Sequence, residues 1–230
     1  MAPPKKGRKT AGPSGRNLKV RVKTAKRRKT SSTRWLQRQL NDPYVQAAQR
    51  DGYRSRAAYK LTELDDKFKI LKPGQHVVDL GAAPGGWTQV AVERLKGKGV
   101  VVAMDIAEID SIAGAEVMQG DIMDRDFGRA IRNALGGTAD VVLSDMAPHA
   151  TGHRATDHLR IVGLVEAAAD LAQEILSPGG TFVAKVWEGG ADSQLLALLK
   201  KNFATVKHAK PKASRSGSAE MYLVATGYRG

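Results

Sequence analysis

Short runs of apolar residues recur along the chain and alternate with longer segments of helical periodicity. The runs are rich in β-branched residues and are bounded by glycine, proline or polar residues, which is typical of buried strands. They lie at residues 77–80, 99–104, 117–121, 139–144, 181–187, 205–208 and 220–225. This alternation predicts an α/β fold built on a doubly wound, mostly parallel sheet with one late antiparallel strand.

The segments between these runs predict helices. In residues 156–176 apolar side chains recur every three or four positions, which is typical of a helix packed against a sheet. The same pattern predicts helices at 54–61, 88–95, 123–135 and 192–203, the last capped by Asp192, and shorter helical turns at 33–37 and 44–49.

A strand, a glycine-rich turn and a helix start follow one another in VVDLGAAPGGW, residues 77–87. In an open α/β sheet an adenosine-type ligand lies at such a turn, because glycine lets backbone amides approach it closely. The glycines fall at Gly81, Gly85 and Gly86, which does not match the G-x-G-x-x-G order of dinucleotide-binding proteins, and there is no phosphate-binding GK[ST]. A purely structural turn is the alternative interpretation.

Acidic residues follow three of the predicted strands. Asp105 ends the second strand, where a carboxylate can accept hydrogen bonds from both hydroxyls of a ribose. Asp121 ends the third, where it or its neighbour would contact the amino group of an adenine, or would instead cap the helix at 123–135. Asp145 follows the fourth strand.

Two lysines differ in how much the sequence says about them. Lys185 lies in the middle of the apolar strand TFVAKVW, where an unpaired charge costs several kcal/mol, so its position indicates a function. Lys60 lies in a predicted helix, where an ordinary exposed lysine is the simpler interpretation.

Composition limits the class of protein. A chain of 230 residues with 42% hydrophobic residues can bury one sizeable core. The absence of cysteine excludes disulfides, thiolate metal sites and thiol nucleophiles, and suits a reducing compartment. No apolar run approaches the roughly 18 residues of a membrane-spanning helix, and the N-terminus has no apolar signal core. We therefore expect a soluble, cytoplasmic protein without a membrane partner, and a monomer.

The positive charge is concentrated at the N-terminus. The first 40 residues carry 14 Lys and Arg and no acid, whereas the rest carries 23 basic and 23 acidic residues. This divides the chain into a basic tail, residues 1–31, which we expect to be disordered alone and to bind RNA phosphates, and a domain at 32–230. A solvated tail without function and a mitochondrial transit peptide are the alternatives.

Three histidines raise the question of a metal site. His149 and His153 have the spacing of a helical metal pair, and His158 is near in sequence. Pro148 and Gly152 indicate a loop instead, and no third ligand is obvious, so no metal site is predicted.

Five segments together resemble the FtsJ family of ribose methyltransferases. They are RSRAAYKL at 54–61, DLGAAPGGW at 79–87, SDMAP at 144–148, FVAKV at 182–186 and SRSGSAEMYLVA at 214–225. The resemblance runs from about Ser32 to the C-terminus, and only the longer basic extension departs from the family pattern. It implies the Rossmann-like methyltransferase fold, S-adenosylmethionine as cofactor, and 2′-O-methylation of a uridine ribose in large-subunit (23S) ribosomal RNA late in the assembly of that subunit.

The resemblance also implies roles for individual residues. The family's Lys-Asp-Lys-Glu tetrad falls on Lys60, Asp145, Lys185 and Glu220. For the cofactor it implies Gly85 and Trp87 in the glycine turn, Asp105 at the ribose, Asp121 near the adenine and Asp145 near the methionine moiety.

These residue types suit the chemistry. A ribose hydroxyl is a poor nucleophile at neutral pH and must lose a proton as it attacks in line. Our hypothesis is that Lys185 accepts this proton or steers the hydroxyl, that Asp145 and Lys60 orient it, and that Glu220 supports them.

Several competing functions can be compared with the sequence. Carbon-5 pyrimidine methyltransferases need a cysteine, amino-group methyltransferases typically carry N/D-P-P-Y where SDMAP stands, and nicotinamide enzymes need another glycine order. A ribose methyltransferase for transfer RNA or organellar ribosomal RNA shares the tetrad and stays open. A non-catalytic RNA-binding factor for ribosome assembly is the alternative from another class, which the intact tetrad disfavours.

Overall fold

A computed structural model describes residue 24 and residues 29–124, 126–148, 152–187 and 193–230, with the backbone alone at 31, 34, 35, 154 and 155. Most of the predicted basic tail, together with His149 and the predicted cap Asp192, lies outside the described residues. The chain divides into two units, Met1–Arg56 and Ala57–Gly230.

Two helices form the described part of the first unit, α1 (Thr30–Leu40) and α2 (Pro43–Asp51). Asp42 caps α2 by accepting a hydrogen bond of 3.0 Å from the amide of Tyr44, and Pro43 at the first helical position favours the helix start. Asp42 also pairs with Arg56, at 3.2 Å. The short helical turns predicted at 33–37 and 44–49 are therefore confirmed as parts of longer helices.

The described residues of the second unit form seven strands and five helices. The strands are β1 (His76–Leu80), β2 (Val100–Asp105), β3 (Glu116–Gln119), β4 (Ala139–Ser144), β5 (Leu176–Trp187), β6 (Phe203–Ala209) and β7 (Glu220–Tyr228). The helices are α3 (Ala58–Phe68), α4 (Gly86–Leu95), α5 (Phe127–Leu135), α6 (Arg154–Ile175) and α7 (Ser193–Asn202). Within the described residues no helix is long and apolar enough to cross a membrane.

One sheet contains all seven strands in the order β3-β2-β1-β4-β5-β7-β6. The pairs β1–β2, β1–β4, β2–β3 and β4–β5 are parallel, and β7 runs antiparallel to both of its neighbours. The predicted fold class, a mostly parallel doubly wound sheet with one antiparallel strand, is confirmed. The core follows from the pattern of apolar runs, because β1 and β4 are buried over almost their whole length and β5 is buried from Phe182 to Val186.

Two predicted helices begin later than the pattern suggested. The helix predicted at 54–61 begins at Ala58, the first position whose side chain is buried with Leu61 and Leu64. The helix predicted at 123–135 begins at Phe127, because Asp121 forms a separate turn before the helix. The Asp121 carboxylate accepts a hydrogen bond from the Met123 amide, and the Asp121 carbonyl accepts one from the Asp124 amide. The predicted first residue of each of these two helices was therefore wrong by four positions.

The sheet register decides which residues meet at the carboxyl edge. Leu80 at the end of β1 pairs with Met104 of β2 on one side and with Ser144 of β4 on the other. The strand order reverses between β1 and β4, which is where ligands bind in such sheets. On the antiparallel side Lys185 of β5 lies opposite Tyr222 of β7.

Candidate active site

The glycine turn between β1 and α4 is held close to the sheet. The amide of Gly81 donates to the carbonyl of Met104 over 2.9 Å, and its φ of +72° is one that residues with a side chain rarely adopt. A Cβ at Gly81 would lie 3.0 Å from the backbone Cα of Met146. Gly85 has a φ of +110° and precedes the first residue of α4, Gly86. Glycine is therefore required by the backbone here, as the sequence suggested.

Trp87 packs beneath this turn. Its side chain is buried, the indole N–H donates to the carbonyl of Ala57 over 2.8 Å, and its ring lies 5.5 Å from the ring of Tyr222. The indole connects the start of α3 to the glycine turn. A contact between Trp87 and a cofactor, which the family resemblance implies, would therefore come from its backbone.

Asp105 and Asp121, the two acids predicted to bind the nucleoside, differ in burial and in the groups that they contact. Asp105 is half-buried, and its two carboxylate oxygens accept hydrogen bonds of 2.9 Å from the amides of Ala83 and Ala107. Asp121 is exposed, and its carboxylate accepts from the Met123 amide over 2.9 Å. Asp105 is thus joined directly to the glycine turn, whereas Asp121 organises its own loop.

The structure brings together the four residues of the predicted tetrad. Lys185 Nζ lies 3.0 Å from Asp145 Oδ1, and Lys60 Nζ lies 3.8 Å from Asp145 Oδ2 and 2.8 Å from Glu220 Oε2. Lys185 also donates to the backbone carbonyl of Asp145 over 2.6 Å. The four side chains form one continuous row of alternating charge in the order Lys185, Asp145, Lys60, Glu220.

Separate elements deliver these side chains to one place. Asp145 directly follows β4, Lys185 lies near the end of β5, and Glu220 begins β7, which enters the sheet at the same edge because it is antiparallel. Lys60 comes from the first turn of α3. Both lysines are only 8% exposed. The interpretation of Lys60 as an ordinary exposed lysine was therefore wrong. Lys185 is buried and paired, as a charge inside a central strand requires, and its function stays a prediction.

Tyr222 is a member of this cluster that the sequence analysis missed. It is buried, and its hydroxyl donates to Asp145 Oδ1 over 2.6 Å. Burial first, and then the charges of Asp145 and Glu220, raise the pKa of Tyr222 well above its usual value, so the hydroxyl keeps its proton and acts as a donor. Its position two residues after Glu220, on the same face of a strand, was the available signal.

Asp145 is held as a carboxylate. Burial by itself raises the pKa of Asp145, but the charges of Lys185 and then Lys60, with hydrogen bonds from Tyr222 and Lys185, outweigh it and leave the pKa below its ordinary value. A permanently charged Asp145 is the feature that can fix two ammonium groups at once.

Asp79 is a second buried acid to which the sequence analysis gave no role. One oxygen accepts from the Thr88 hydroxyl over 2.6 Å, and the other has no hydrogen-bond partner among the described residues. Burial, opposed by the Thr88 hydrogen bond and assisted by the charges of Asp145 and Asp105, raises the pKa of Asp79 to about 7. The signal was the one recognised at Lys185, a titratable residue inside an apolar strand.

The described residues contain no group of three or more His, Cys, Asp or Glu able to hold a metal ion. Of the three histidines considered above, His149 lies outside the described residues, and the ring of His158 lies 6.4 Å from that of Trp187. The structure thus adds no support for a metal centre.

The chain matches a known protein family over most of its length. The family model described as FtsJ-like methyltransferase matches residues 53–228, which include every residue of the charged row. The chain belongs to the FtsJ-like methyltransferase family. The resemblance stated from the five sequence segments is therefore confirmed, and the protein is a methyltransferase.

The family includes relatives with closely similar sequences. A protein of Paramagnetospirillum magneticum named ribosomal RNA large subunit methyltransferase E is 65% identical over 97% of this chain and 95% of its own length. A protein of the same name from Parvibaculum lavamentivorans is 56% identical over 96% of this chain and 94% of its own length. Among solved structures, a ribosomal RNA methyltransferase from Plasmodium falciparum is similar with a TM-score of 0.70 and 33% identity, over 77% of this chain and all of the other.

Proposed function

We propose that this methyltransferase transfers a methyl group from S-adenosylmethionine to the 2′-hydroxyl of a uridine ribose in large-subunit (23S) ribosomal RNA. The observation that carries the proposal is the buried row Lys185, Asp145, Lys60, Glu220 at the sheet edge that also holds the glycine turn. A row of this kind can hold and activate a weakly acidic hydroxyl without a metal ion or a covalent nucleophile.

The glycine turn fits the methionine end of S-adenosylmethionine. The backbone packs so closely at Gly81 that no side chain is accommodated there. Helix α4 has no side-chain cap among the described residues, so its first amides suit a carboxylate, and the helix dipole favours a negative charge at that end. Gly81, Gly85, Gly86 and the backbone of Trp87 are the residues proposed to hold this part of the cofactor.

The neighbouring acids and apolar side chains fit the rest of the cofactor. Each carboxylate oxygen of Asp105 accepts a hydrogen bond from one backbone amide and retains a lone pair that can accept another from a ribose hydroxyl. Ile106 and Met123 are 64% and 69% exposed and supply apolar surface next to Asp105 and Asp121, as a flat adenine ring requires. Asp145 adds negative charge, which suits a cationic sulfonium and ammonium.

The charged row is suited to hold the hydroxyl and remove its proton. When bound, the cofactor supplies a methyl group on a positively charged sulfur. As an ammonium, Lys185 uses two N–H groups to contact Asp145 and has a third with which to steer the 2′-hydroxyl. As a neutral amine it keeps both contacts and presents a lone pair in place of the third N–H, and this lone pair can accept the hydroxyl proton. Asp145 fixes both lysines, and Glu220 holds Lys60 from the other side.

The proposed substrate rests on the relatives and on charge. Two relatives above 55% identity carry the name ribosomal RNA large subunit methyltransferase E. The acid-free basic tail and the exposed Lys212 and Arg215, which lie in the loop before Glu220, suit RNA phosphates. We propose that the enzyme acts as a monomer, in the cytoplasm, on the assembled large subunit.

The test is transfer of a labelled methyl group from S-adenosylmethionine to large subunits from a bacterial strain that lacks this activity, with the modified nucleotide mapped. The proposal expects label on one ribose 2′-oxygen of a uridine in 23S RNA. Naked 23S RNA, transfer RNA and organellar ribosomal RNA are assayed beside it. Label on a base, preferential label on transfer RNA, or no transfer at all would contradict the proposal, and the last result would favour a non-catalytic assembly factor.

A further inference from the structure

The loop before β7, residues 210–218, contains a side chain that reaches the charged row from outside it. Ser214 is 6% exposed, and its hydroxyl donates to Glu220 Oε1 over 2.7 Å. The other carboxylate oxygen of Glu220, Oε2, accepts from Lys60 Nζ over 2.8 Å. Glu220 is therefore held between a serine on one oxygen and a lysine on the other.

Ser214 is itself fixed in place. Its amide donates to the carbonyl of Pro211 over 3.0 Å, and Pro211 and Ala213 are both buried. The amide of Ala213 donates to the carboxylate of Glu63 over 3.1 Å, and Glu63 lies on α3 one turn after Lys60. The loop is thus attached to the helix that carries Lys60 both through Glu63 and through Glu220.

The distances show why the Ser214 hydrogen bond matters for Lys60. Lys60 Nζ is 2.8 Å from Glu220 and 3.8 Å from Asp145, so Glu220 is the nearer of its two carboxylates. A glutamate side chain has several rotatable bonds, and the direction of its carboxylate depends on the groups that bind both oxygens. The Ser214 hydroxyl binds the oxygen on the side away from Lys60.

We propose that Ser214 is a positioning residue for the methyl-transfer reaction, which acts by holding the Glu220 carboxylate against Lys60. This inference rests on the proposed function, because it assigns Ser214 to the same charged row. It requires that Ser214 affect the rate of methyl transfer and the position of Lys60, and that both effects depend on Glu220.

The experiment compares Ser214→Thr with Ser214→Val, two side chains of equal shape of which only threonine keeps the hydroxyl. Ser214→Ala is added, and Ser216→Ala, an exposed serine of the same loop, is the matched control. Thermal unfolding establishes that each variant is folded. The turnover number, the KM for ribosomal subunits and the Kd of S-adenosylmethionine are measured for each.

The proposal expects Ser214→Val and Ser214→Ala to lower the turnover number by about tenfold, with KM and Kd within about twofold of wild type. Ser214→Thr and Ser216→Ala should stay within about twofold of wild type. In a Glu220→Gln background, in which the charged partner is already absent, Ser214→Ala should lower the rate by a much smaller factor. Equal losses in both backgrounds, or equal rates for the Thr and Val variants, would overturn the proposal.

A second readout does not depend on methyl transfer. Reductive methylation of lysines, quantified by mass spectrometry, reports how firmly each ammonium group is held. Ser214→Val should increase the labelling of Lys60 several-fold over Ser214→Thr and leave the exposed Lys207 unchanged. Unchanged labelling of Lys60 would overturn the role of Ser214 whatever the activity, whereas a wild-type enzyme without transferase activity would contradict the proposed function alone.

Discussion

Lys185 and Tyr222 face each other across β5 and β7, and both side chains reach the same carboxylate oxygen of Asp145, at 3.0 Å and 2.6 Å. Residues directly opposite in an antiparallel pair have side chains on the same face of the sheet. Asp145 follows the neighbouring strand β4 and therefore lies within reach of both. A single strand pairing thus sets the direction in which Asp145 points.

This pairing predicts the effect of removing one hydroxyl. Tyr222→Phe keeps the ring that packs on Trp87 but removes the donor to Asp145, so the carboxylate is held less firmly. We expect the turnover number to fall by about tenfold, which corresponds to the ~1.4 kcal/mol of a hydrogen bond to a charged group. The measurement is methyl transfer to large subunits at saturating cofactor.

The control for Tyr222→Phe is Tyr228→Phe on the same strand, because the Tyr228 hydroxyl donates to the carbonyl of Gln173, away from the charged row. This variant should keep the wild-type rate. Equal loss of activity in the two variants would show that Tyr222 acts through stability and not through Asp145.

The raised pKa of Asp79 leads us to expect that the stability of the protein depends on pH. Its pKa of about 7 in the folded chain lies above the usual 3.8, so the folded state holds a proton that the unfolded state releases. The stabilisation that this proton gives the folded state is fully present below about pH 3.8 and is lost as pH rises through about 7. Asp79→Asn cannot ionise. Its free energy of unfolding, relative to wild type, should therefore rise between about pH 4 and pH 7, by up to roughly 4 kcal/mol, and then level off.

The measurement is urea unfolding of both proteins from about pH 4 to pH 9. Comparing the two proteins at each pH removes the contribution of every other titrating group that they share. A difference that does not change with pH would contradict a protonated Asp79.

The close packing at Gly81 predicts a cost that a glycine with positive φ in open space does not share. Gly81→Ala introduces a Cβ 3.0 Å from the Cα of Met146, whereas Gly136 has nearly the same φ, +70°, and nothing within 4 Å of the added Cβ. We expect Gly136→Ala to cost about 1 kcal/mol of stability, and Gly81→Ala to cost about 2–4 kcal/mol and to weaken cofactor binding. Chemical unfolding and calorimetric titration with S-adenosylmethionine measure the two effects. Equal costs at the two positions would mean that the backbone conformation alone explains Gly81.

The basic tail predicts a salt effect on RNA binding. A chain without residues 1–28 retains α1 but lacks basic residues that can replace counterions on RNA. The logarithm of its RNA affinity should fall less steeply with the logarithm of salt concentration, by roughly 0.7 to 0.9 for each phosphate that the tail neutralises, while cofactor binding stays unchanged. The control is a tail of full length with its Lys and Arg replaced by Gln, which should behave like the truncated chain. An unchanged salt slope in both would contradict an RNA-binding role for the tail.

Sequence patterns predicted the sheet because its central strands are buried on both faces and therefore appear as continuous apolar runs. The same reasoning identified Lys185, whose charge interrupts such a run. It did not identify the burial of Lys60, because a helix shows its buried face only through spacing. The carboxylates that bind Lys60 belong to Asp145, directly after β4, and to Glu220, at the start of β7, which are 85 and 160 residues away.

Tyr222 and Ser214 were missed for a different reason. Tyr222 is an ordinary apolar position of a strand until the register places Lys185 opposite it. Ser214 lies in a loop without periodicity, and only the folded path of residues 210–218 brings its hydroxyl to Glu220. The start of α5 was misplaced because the turn at Asp121 depends on side-chain hydrogen bonding that apolar periodicity does not report.

The central claim is that Lys185 acts on the ribose hydroxyl, and a single comparison tests it most directly. Methyl transfer to large subunits and the Kd of S-adenosylmethionine are measured for Lys185→Ala and for Lys207→Ala, an exposed lysine of β6. The account predicts a transfer rate at least about 100-fold below wild type for Lys185→Ala with an unchanged Kd, and a normal rate for Lys207→Ala. A Lys185→Ala enzyme that binds the cofactor normally and methylates at the wild-type rate would contradict it.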